Sequence, residues 1–253
     1  MRGFEPQTSN LKPQTSNLKL FIDRQFPTYF LIMKKFAIIV AGGSGTRMNS
    51  SLPKQFMLLK GKPVLYYTIH TFLQAFDDCN VILVLPESHL AYGKEIISTY
   101  FNSSRIQVTA GGETRFHSVK NGLKLVNVES VVFVHDAVRC LISTNLIRNC
   151  FEAAVQFGAA VPVISSKDSV RLVTGETNEA LQRNRVKLVQ TPQTFHSKIL
   201  LPAFETEYSD AFTDEATVVE ACGHKIYLLE GEESNFKITL PVDLELAEKL
   251  IVG

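Results

Sequence analysis

Short apolar segments alternate with segments of helix length along the first part of the chain, and this alternation limits the possible folds more than any other feature. The apolar segments are nearly continuous, which is typical of strands buried on both faces of a parallel sheet. The predicted strands are Phe36–Val40, Val81–Leu85, Ile106–Thr109, Val131–His135 and Ala160–Val163. The predicted helices between them are Val64–Ala75, His89–Tyr100, Thr114–Leu125 and Thr144–Phe157. Together they predict βαβ units and an α/β fold with a doubly wound, mostly parallel sheet.

The second half of the chain has a different pattern. Ser169–Val173 and Ala180–Val186 are short and strand-like, and the turn-rich segment Thr174–Glu179 separates them. We expect a β-hairpin arm over about residues 166–187 that projects from the sheet. A two-stranded ribbon is only marginally stable alone, so a second subunit is a natural partner for it. After the arm we expect helices near His196–Phe204 and Asp214–Ala221, a strand at Lys225–Leu229 and a final helix at Pro241–Ile251.

The N-terminal segment differs from the rest of the chain. The heptapeptide PQTSNLK occurs there twice in tandem, and it is polar without an amphipathic period. We therefore expect residues 1–32 to be a disordered extension without function, with Met33 as the true start of a domain over residues 33–253. The apolar stretch Phe26–Val40 is interrupted by two lysines and is too short to span a bilayer.

Overall charge and cysteine use limit the partners and the compartment. The formal net charge is +1, which gives no global field to attract nucleic acid or an anionic membrane, so we expect neither as a partner. Any anion site must be built locally. The four cysteines form no C-x-x-C pair, and we expect reduced thiols and a cytoplasmic protein.

The first predicted strand runs into a glycine-rich loop, AGGSGTRM, at Ala41–Met48. Glycines let the backbone turn tightly, and consecutive N–H groups form an anion-binding concavity. Arg47 and Lys54 add two positive charges, so the loop suits a triphosphate. The pattern matches neither a Walker loop nor G-x-G-x-x-G, and the alternative is a tight turn with two solvated cations. The loop glycines are Gly42, Gly43 and Gly45.

A second glycine turn follows the third predicted strand and leads into a helix that contains Ser118. Its backbone and the Ser118 hydroxyl can receive a base or a ribose. The alternative is that Thr114 caps the helix and that the turn needs no ligand. The sequence alone leaves both interpretations open.

The fourth predicted strand ends in His135-Asp136-Ala137-Val138-Arg139. An Asp at the carboxyl end of a buried strand commonly holds a metal ion or a ribose hydroxyl, and triphosphate chemistry needs Mg²⁺ or another divalent cation. Asp136 is therefore the candidate metal ligand. The alternative is an ion pair between Asp136 and Arg139 that only shapes the loop. Similarly, Thr213 and Asp214 can act as helix caps, and Lys237 can be a surface lysine.

These segments, in order, resemble the 2-C-methyl-D-erythritol 4-phosphate cytidylyltransferase family over about residues 34–253. The segments are AGGSGTRM, PKQF, AGGETRFHSV, VHDAVR, QTPQTF, TDEA and NFKIT. The resemblance implies a Rossmann-like nucleotidyltransferase sheet of the GT-A-like kind. It also implies that methylerythritol phosphate attacks the α-phosphorus of CTP and that pyrophosphate leaves with Mg²⁺, in the non-mevalonate route to isoprenoids.

The resemblance also implies roles for individual residues. The catalytic set would be Arg47, Lys54, Arg183 and Lys237. The CTP site would contain Ala41, Gly42, Gly43, Gly45, Gly112, Glu113, Ser118 and Asp136. The acceptor site would contain Asp136, Arg139, Ser169, Arg183, Thr191, Thr213 and Lys237, with Ser169 and Arg183 on an arm that crosses to the other subunit of a homodimer. The sequence departs from the family at Cys140, where proline is usual, and at Glu113, where Asp is common.

Two alternatives remain beside this interpretation. A ribitol-5-phosphate cytidylyltransferase would share the glycine loop, PKQF and HDAVR, but TDEA and the short spacing from Met48 to Pro53 favour the methylerythritol enzyme. A non-catalytic nucleotide-binding module would have the same fold, but the cations expected for catalysis are present.

Overall fold

The computed structural model describes residues 33–42 and 52–251. The chain divides into two units, residues 1–33 and 34–253, and the strands and helices of the described residues belong to the second unit. The predictions for residues 1–32 lie outside the described residues, as do those for Gly43, Gly45 and Arg47.

Strands and helices alternate through most of the described chain. The strands are β1 Lys34–Val40, β2 Leu58–Leu59, β3 Lys62–Pro63, β4 Cys79–Leu85, β5 Ile106–Ala110, β6 Ser130–Asp136, β7 Ala159–Ser165, β8 Val170–Thr174, β9 Thr177–Leu181, β10 Lys187–Val189, β11 Gln193–His196 and β12 Tyr227–Glu230. The helices are α1 Val64–Ala75, α2 Leu90–Tyr100, α3 Arg115–Leu123, α4 Thr144–Phe157, α5 Ser197–Ala203, α6 Glu215–Ala221 and α7 Pro241–Leu250. Short 3₁₀ helices cover Lys54–Phe56, Glu87–His89 and Arg183–Arg185.

Eight strands of the described residues form one central sheet. Its order is β5-β4-β1-β6-β11-β7-β12, and β10 pairs with the end of β7. Ala160 of β7 pairs with Thr194 of β11 and with Tyr227 of β12, so these two strands lie on opposite edges of β7. The pairs β1–β4, β1–β6, β4–β5 and β7–β12 are parallel, whereas β10 and β11 run antiparallel to β7. The α/β prediction with a mostly parallel sheet is confirmed.

The predicted elements before the arm are all present, with ends shifted by a few residues at most. The antiparallel strand β11 was missed because Gln193–His196 contains no continuous apolar run. Its inner position depends on pairing with β6 and β7, which are distant in sequence.

The second strand of the predicted arm was placed too late. It begins at Thr177 rather than Ala180, so only Gly175 and Glu176 separate the two strands. Gly175 has φ +60°, a conformation that glycine adopts without strain and that suits a two-residue hairpin turn. The rest of the region assigned to the second strand contains the 3₁₀ turn Arg183–Arg185, and β10 begins directly after that region at Lys187.

Two of the apolar clusters among the described residues each join several elements. The larger one packs α3, α5 and α6 against the sheet, with Ile38, Val84 and Phe195 among its buried side chains. Each fully buried side chain of this size contributes roughly 1.5–3 kcal/mol. The smaller cluster joins Val138 and Ile238 to the C-terminal helix α7. Among the described residues, no helix is both long and apolar enough to cross a membrane.

Candidate active site

The loops that follow the parallel strands meet at one edge of the sheet, where ligands bind in folds of this kind. The N–H of Ala41 donates to the carbonyl of Val84 (2.9 Å), and the N–H of Ala137 donates to that of Val40 (3.0 Å). The N–H of Gly111 donates to the carbonyl of Leu85 (2.7 Å). The three predicted loops are therefore neighbours.

The segment that carries Lys54 is fixed to the start of the glycine loop. Nε2 of Gln55 donates to the carbonyl of Ala41 at 2.7 Å. The next residue, Phe56, is fully buried and contacts the rings of His89 and Tyr92. The 3₁₀ turn thus holds Lys54, which is itself largely buried, close to Ala41 and Gly42.

The second glycine turn is held by its own helix. The hydroxyl of Ser118 accepts from the N–H of Gly112 (3.1 Å) and donates to the carbonyl of Thr114 (2.9 Å). A Cβ at Gly112 would lie 2.5 Å from Cβ of His117, so only glycine fits there. Thr114 is the N-cap of α3, which confirms the capping interpretation. Glu113 and Gly112 are exposed, and the nucleotide role of this turn stays a prediction.

Asp136 lies at the end of β6, where three cationic side chains converge on its carboxylate. Oδ1 is 2.5 Å from Nη1 of Arg115, and Oδ2 is 2.9 Å from Nζ of Lys237 and 3.5 Å from Nε of Arg139. Burial alone would raise the pKa of the Asp136 carboxyl, but Arg115, Lys237 and Arg139 hold it well below its usual range. The Asp136–Arg139 ion pair is present, and Lys237, although exposed, pairs with the same carboxylate.

Sequence reasoning assigned no role to Arg115 or Glu215, and the structure places both beside Asp136. Nε and Nη2 of Arg115 donate to the two oxygens of Glu215, each at 3.0 Å. The Glu215 side chain is 1% exposed. Burial opposes the charged form of Arg115, but the carboxylates of Glu215 and Asp136 together raise its pKa. In the sequence, the indication of a role for Arg115 and Glu215 was limited to their positions inside the GGETR and TDEA segments.

His135 and Thr191 form a hydrogen-bonded chain beneath the carboxylate. Nε2 of His135 lies 3.2 Å from the carbonyl oxygen of Arg139, which can only accept, so Nε2 carries the proton. Nδ1 then accepts from the Thr191 hydroxyl (3.0 Å), which itself accepts from the N–H of Asp136 (3.1 Å). The chain fixes the loop from Asp136 to Arg139 against Thr191.

The remaining acceptor residues lie around this centre or on the arm. Nδ2 of Asn235 donates to the carbonyl of Thr191, and Nη1 of Arg139 donates to that of Asn235. Asp214 caps α6 through a capping box, which confirms its capping role, and the preceding Thr213 is exposed. Ser169 is also exposed.

The arm residue Arg183 makes its own local contact. Its Nη1 donates to the carbonyl of Lys167 at 3.0 Å. In the described part of this chain, neither Ser169 nor Arg183 forms a hydrogen bond or ion pair with the Asp136 cluster. The single chain therefore does not bring these two predicted residues to the site.

Most of the chain matches a known protein family. Residues 35–252 match the family model of 2-C-methyl-D-erythritol 4-phosphate cytidylyltransferase. The chain belongs to this family. The match confirms the resemblance seen in the ordered segments.

Relatives in the cytidylyltransferase family cover nearly the whole of the unit formed by residues 34–253. The enzyme of that name from Phocaeicola vulgatus is 48% identical over 219 residues, which is 87% of this chain and all of the relative. That from Bacteroides fragilis is 46% identical with the same coverage.

Solved structures with the same assignment are also similar. The 4-diphosphocytidyl-2C-methyl-D-erythritol synthase of Anaerococcus prevotii has a TM-score of 0.76 at 28% identity, covering 88% of this chain and 98% of that one. The 2-C-methyl-D-erythritol 4-phosphate cytidylyltransferase of Francisella tularensis has a TM-score of 0.72 at 31% identity, covering 86% of this chain and all of that one.

Cys140, the departure from the usual cytidylyltransferase proline, lies in the smaller apolar cluster. It is buried there with Leu59, Val138 and Ile238. Burial raises the pKa of its thiol to about 12, so the thiol stays protonated at neutral pH. Cys140 therefore serves as an apolar packing group beside the Asp136 loop.

The metal expected for a cytidylyltransferase has a restricted set of protein ligands. The described residues contain no group of three or more His, Cys, Asp or Glu side chains arranged to hold a metal ion. Asp136 is ionised and lies at the correct edge of the sheet, but three cations surround it. Because both oxygens of Asp136 already face cations, a Mg²⁺ ion here would be coordinated mainly by triphosphate oxygens, with Asp136 as the candidate protein carboxylate.

Proposed function

We propose that this protein transfers CMP from CTP to 2-C-methyl-D-erythritol 4-phosphate, giving 4-diphosphocytidyl-2-C-methyl-D-erythritol and pyrophosphate. The structural observation that carries the proposal is the convergence of Arg115, Arg139 and Lys237 on Asp136. The hydrogen bond from Ala137 to Val40 places this cluster next to the start of the glycine loop. The family match and the named relatives favour this acceptor over ribitol 5-phosphate.

The reaction needs two anions to approach each other. An oxygen of the acceptor phosphate bonds to the α-phosphorus of CTP, and the bond from that phosphorus to the bridging oxygen of pyrophosphate breaks. The attacking oxygen is already deprotonated, so no general base is required. The protein contributes by positioning both anions and by stabilising the charge that develops in the transition state.

The predicted residues divide between the two substrates. Arg47 and Lys54 stabilise the reacting phosphates, and the backbone of the two glycine turns holds CTP. Arg139, Lys237, Thr191 and Thr213 hold the acceptor. The structure supports this division because Gln55, the neighbour of Lys54, is hydrogen-bonded to Ala41 at the start of the first glycine loop, whereas Arg139 and Lys237 share Asp136.

Mg²⁺ belongs to the proposal as the cofactor that arrives with the nucleotide. When bound, it neutralises charge on the triphosphate and on the departing pyrophosphate. Asp136 supplies the one protein carboxylate, and Arg115, Arg139 and Lys237 keep that carboxylate ionised.

The arm supports a homodimer in this proposal. The arm strands expose Leu172 and Val173, whose exposed fractions are 48% and 68%, together with Leu181. A second subunit would cover these apolar side chains and bring Ser169 and Arg183 to the partner's acceptor site. The free cysteines are compatible with a reducing compartment, and we place the enzyme in the cytoplasm.

The proposed activity can be tested with the purified protein. CTP, Mg²⁺ and either methylerythritol phosphate or ribitol 5-phosphate are mixed with the enzyme, and pyrophosphate release is measured. We expect rapid release with methylerythritol phosphate and little with ribitol 5-phosphate. Comparable release with both acceptors would reject the assigned specificity, and CTP binding without release would favour a non-catalytic module.

A further inference from the structure

One arginine joins two carboxylates that come from different parts of the chain. Arg115 begins α3, directly after the second glycine turn, whereas Glu215 begins α6 and Asp136 ends β6. The guanidinium presents Nε and Nη2 to Glu215 and Nη1 to Asp136. This use of all three nitrogens requires the planar guanidinium and cannot be reproduced by the single ammonium of lysine.

The two oxygens of Asp136 have different partners. Oδ1 accepts from Arg115, and Oδ2 faces Lys237 and Arg139. Because a carboxylate is planar, a strong hydrogen bond to one oxygen also fixes the direction of the other. Arg115 therefore determines where Asp136 holds the two cations assigned to the acceptor.

Glu215 in turn fixes Arg115. Its carboxylate is almost fully buried, and the backbone around it is held because the N–H of Ala216 donates to Oε1 of Gln193 (2.7 Å). Nε2 of Gln193 donates to Asp214 at 2.8 Å. Glu215 thus has little freedom to move, and its two hydrogen bonds hold the guanidinium plane towards Asp136.

We propose that Arg115 and Glu215 are a positioning pair for the acceptor half of the site. The pair orients Asp136 so that Lys237 and Arg139 are already placed to receive the acceptor's phosphate. This inference rests on the proposed cytidylyl transfer. Neither Arg115 nor Glu215 touches the reacting atoms, so loss of the pair raises KM for the acceptor more than KM for CTP.

If Arg115 had a purely structural role, its variants would behave differently. If Arg115 only neutralised the buried carboxylate of Glu215, its removal would harm the enzyme because an unpaired charge would remain buried. Removing the Glu215 charge as well would then restore both the thermal stability and the kinetic constants. The double variant Arg115→Met/Glu215→Gln therefore separates positioning from charge neutralisation.

The experiment compares Arg115→Met, Glu215→Gln, the double variant and a control on the same helix. The control is Lys120→Met, since Lys120 forms a 3.7 Å ion pair with the exposed Glu205 and lies 6.0 Å from the centre of the Phe116 ring, and neither partner belongs to the Asp136 cluster. For each protein, Tm, kcat and the KM values for CTP and methylerythritol phosphate are measured. If Arg115→Met is too unstable to purify, the double variant still provides the kinetic result.

We expect the double variant to regain most of the Tm lost in Arg115→Met, while its KM for methylerythritol phosphate stays at least about tenfold above that of the unaltered protein. KM for CTP, measured with saturating Mg²⁺ so that a weakened contact between Asp136 and the metal does not affect it, changes little, and Lys120→Met behaves like the unaltered protein. Recovery of the acceptor KM in the double variant would overturn the positioning role, as would an equal rise in both KM values. No turnover of methylerythritol phosphate by the unaltered protein would instead reject the proposed function.

Discussion

The hydroxyl of Thr191 lies 3.0 Å from Nδ1 of His135 and donates a hydrogen bond to it. The opposite ring nitrogen donates to the carbonyl of Arg139, so the two contacts select a neutral histidine with its proton on Nε2. Burial lowers the pKa of His135 to about 3. The ring therefore acts as a fixed link between β6 and the Thr191 segment and does not transfer protons near neutral pH.

This neutral histidine predicts how stability depends on pH. In an unfolded chain the pKa of histidine is about 6.5, so below that pH the unfolded state binds a proton that the folded state rejects. The free energy of unfolding should fall as the pH is lowered from about 6.5 towards 3, by at most about 1.4 kcal/mol per pH unit from this group.

Urea unfolding at pH 7, 6 and 5 measures this dependence. His135→Gln should be less stable at pH 7 but should lose less stability on acidification. His70 and His196, whose pKa values are also lowered by burial, are present in both proteins and cancel in the comparison. Parallel pH dependences for the two proteins would contradict a buried neutral His135.

The metal requirement gives a second prediction. EDTA should abolish pyrophosphate release, and added Mg²⁺ should restore it, because the triphosphate charge must be neutralised for the acceptor to approach. Asp136→Asn should raise the Mg²⁺ concentration needed for half-maximal rate. Full activity in EDTA would exclude a metal requirement for catalysis. An unchanged Mg²⁺ requirement in Asp136→Asn would exclude Asp136 as a ligand of the metal.

From the position of Arg183 on the arm, we predict that each acceptor site is shared between two subunits. Lys54→Ala should lower turnover by about a hundredfold, as expected when a charge that stabilises the transition state is lost, and Arg183→Ala should mainly impair use of the acceptor. If Arg183 serves the partner's site, a mixture of the two variants should regain activity. In each mixed dimer, one site would combine an intact Lys54 with an intact Arg183 of the partner.

The complementation experiment needs proof that subunits exchange, for example from differently tagged chains that copurify. Mixing either variant with itself provides the matched control. Activity that does not rise despite proven exchange would place Arg183 at its own subunit's site, and the cytidylyltransferase assignment would be unaffected.

The N-terminal segment gives a fourth prediction. The family model matches from residue 35 onwards, and the tandem PQTSNLK repeats lie before that point. A chain that starts at Met33 should keep the Tm and kcat of the full chain within experimental error. Loss of folding or turnover on deletion of residues 1–32 would show that the segment contributes to the enzyme.

The sequence was sufficient to predict the parallel part of the sheet because each buried strand is marked locally. Phe36–Val40 and Val131–His135 are apolar throughout, and glycine or Asp follows soon after the strand, so strand and loop are visible within a few residues. The order of such segments also revealed the family. Local patterns did not show β11, because its polar residues become buried only through pairing with β6 and β7.

For the site, the sequence by itself determined which turns and charged side chains are available to bind the substrates, namely the glycine turns, Lys54, Asp136 and Lys237. Only the tertiary structure decided that Arg115 and Glu215, 100 residues apart, join Asp136 in one buried charge cluster. The reason is physical: hydrogen bonds and ion pairs act over a few ångströms in space, and no periodicity along the chain records which distant side chains the folded sheet brings together.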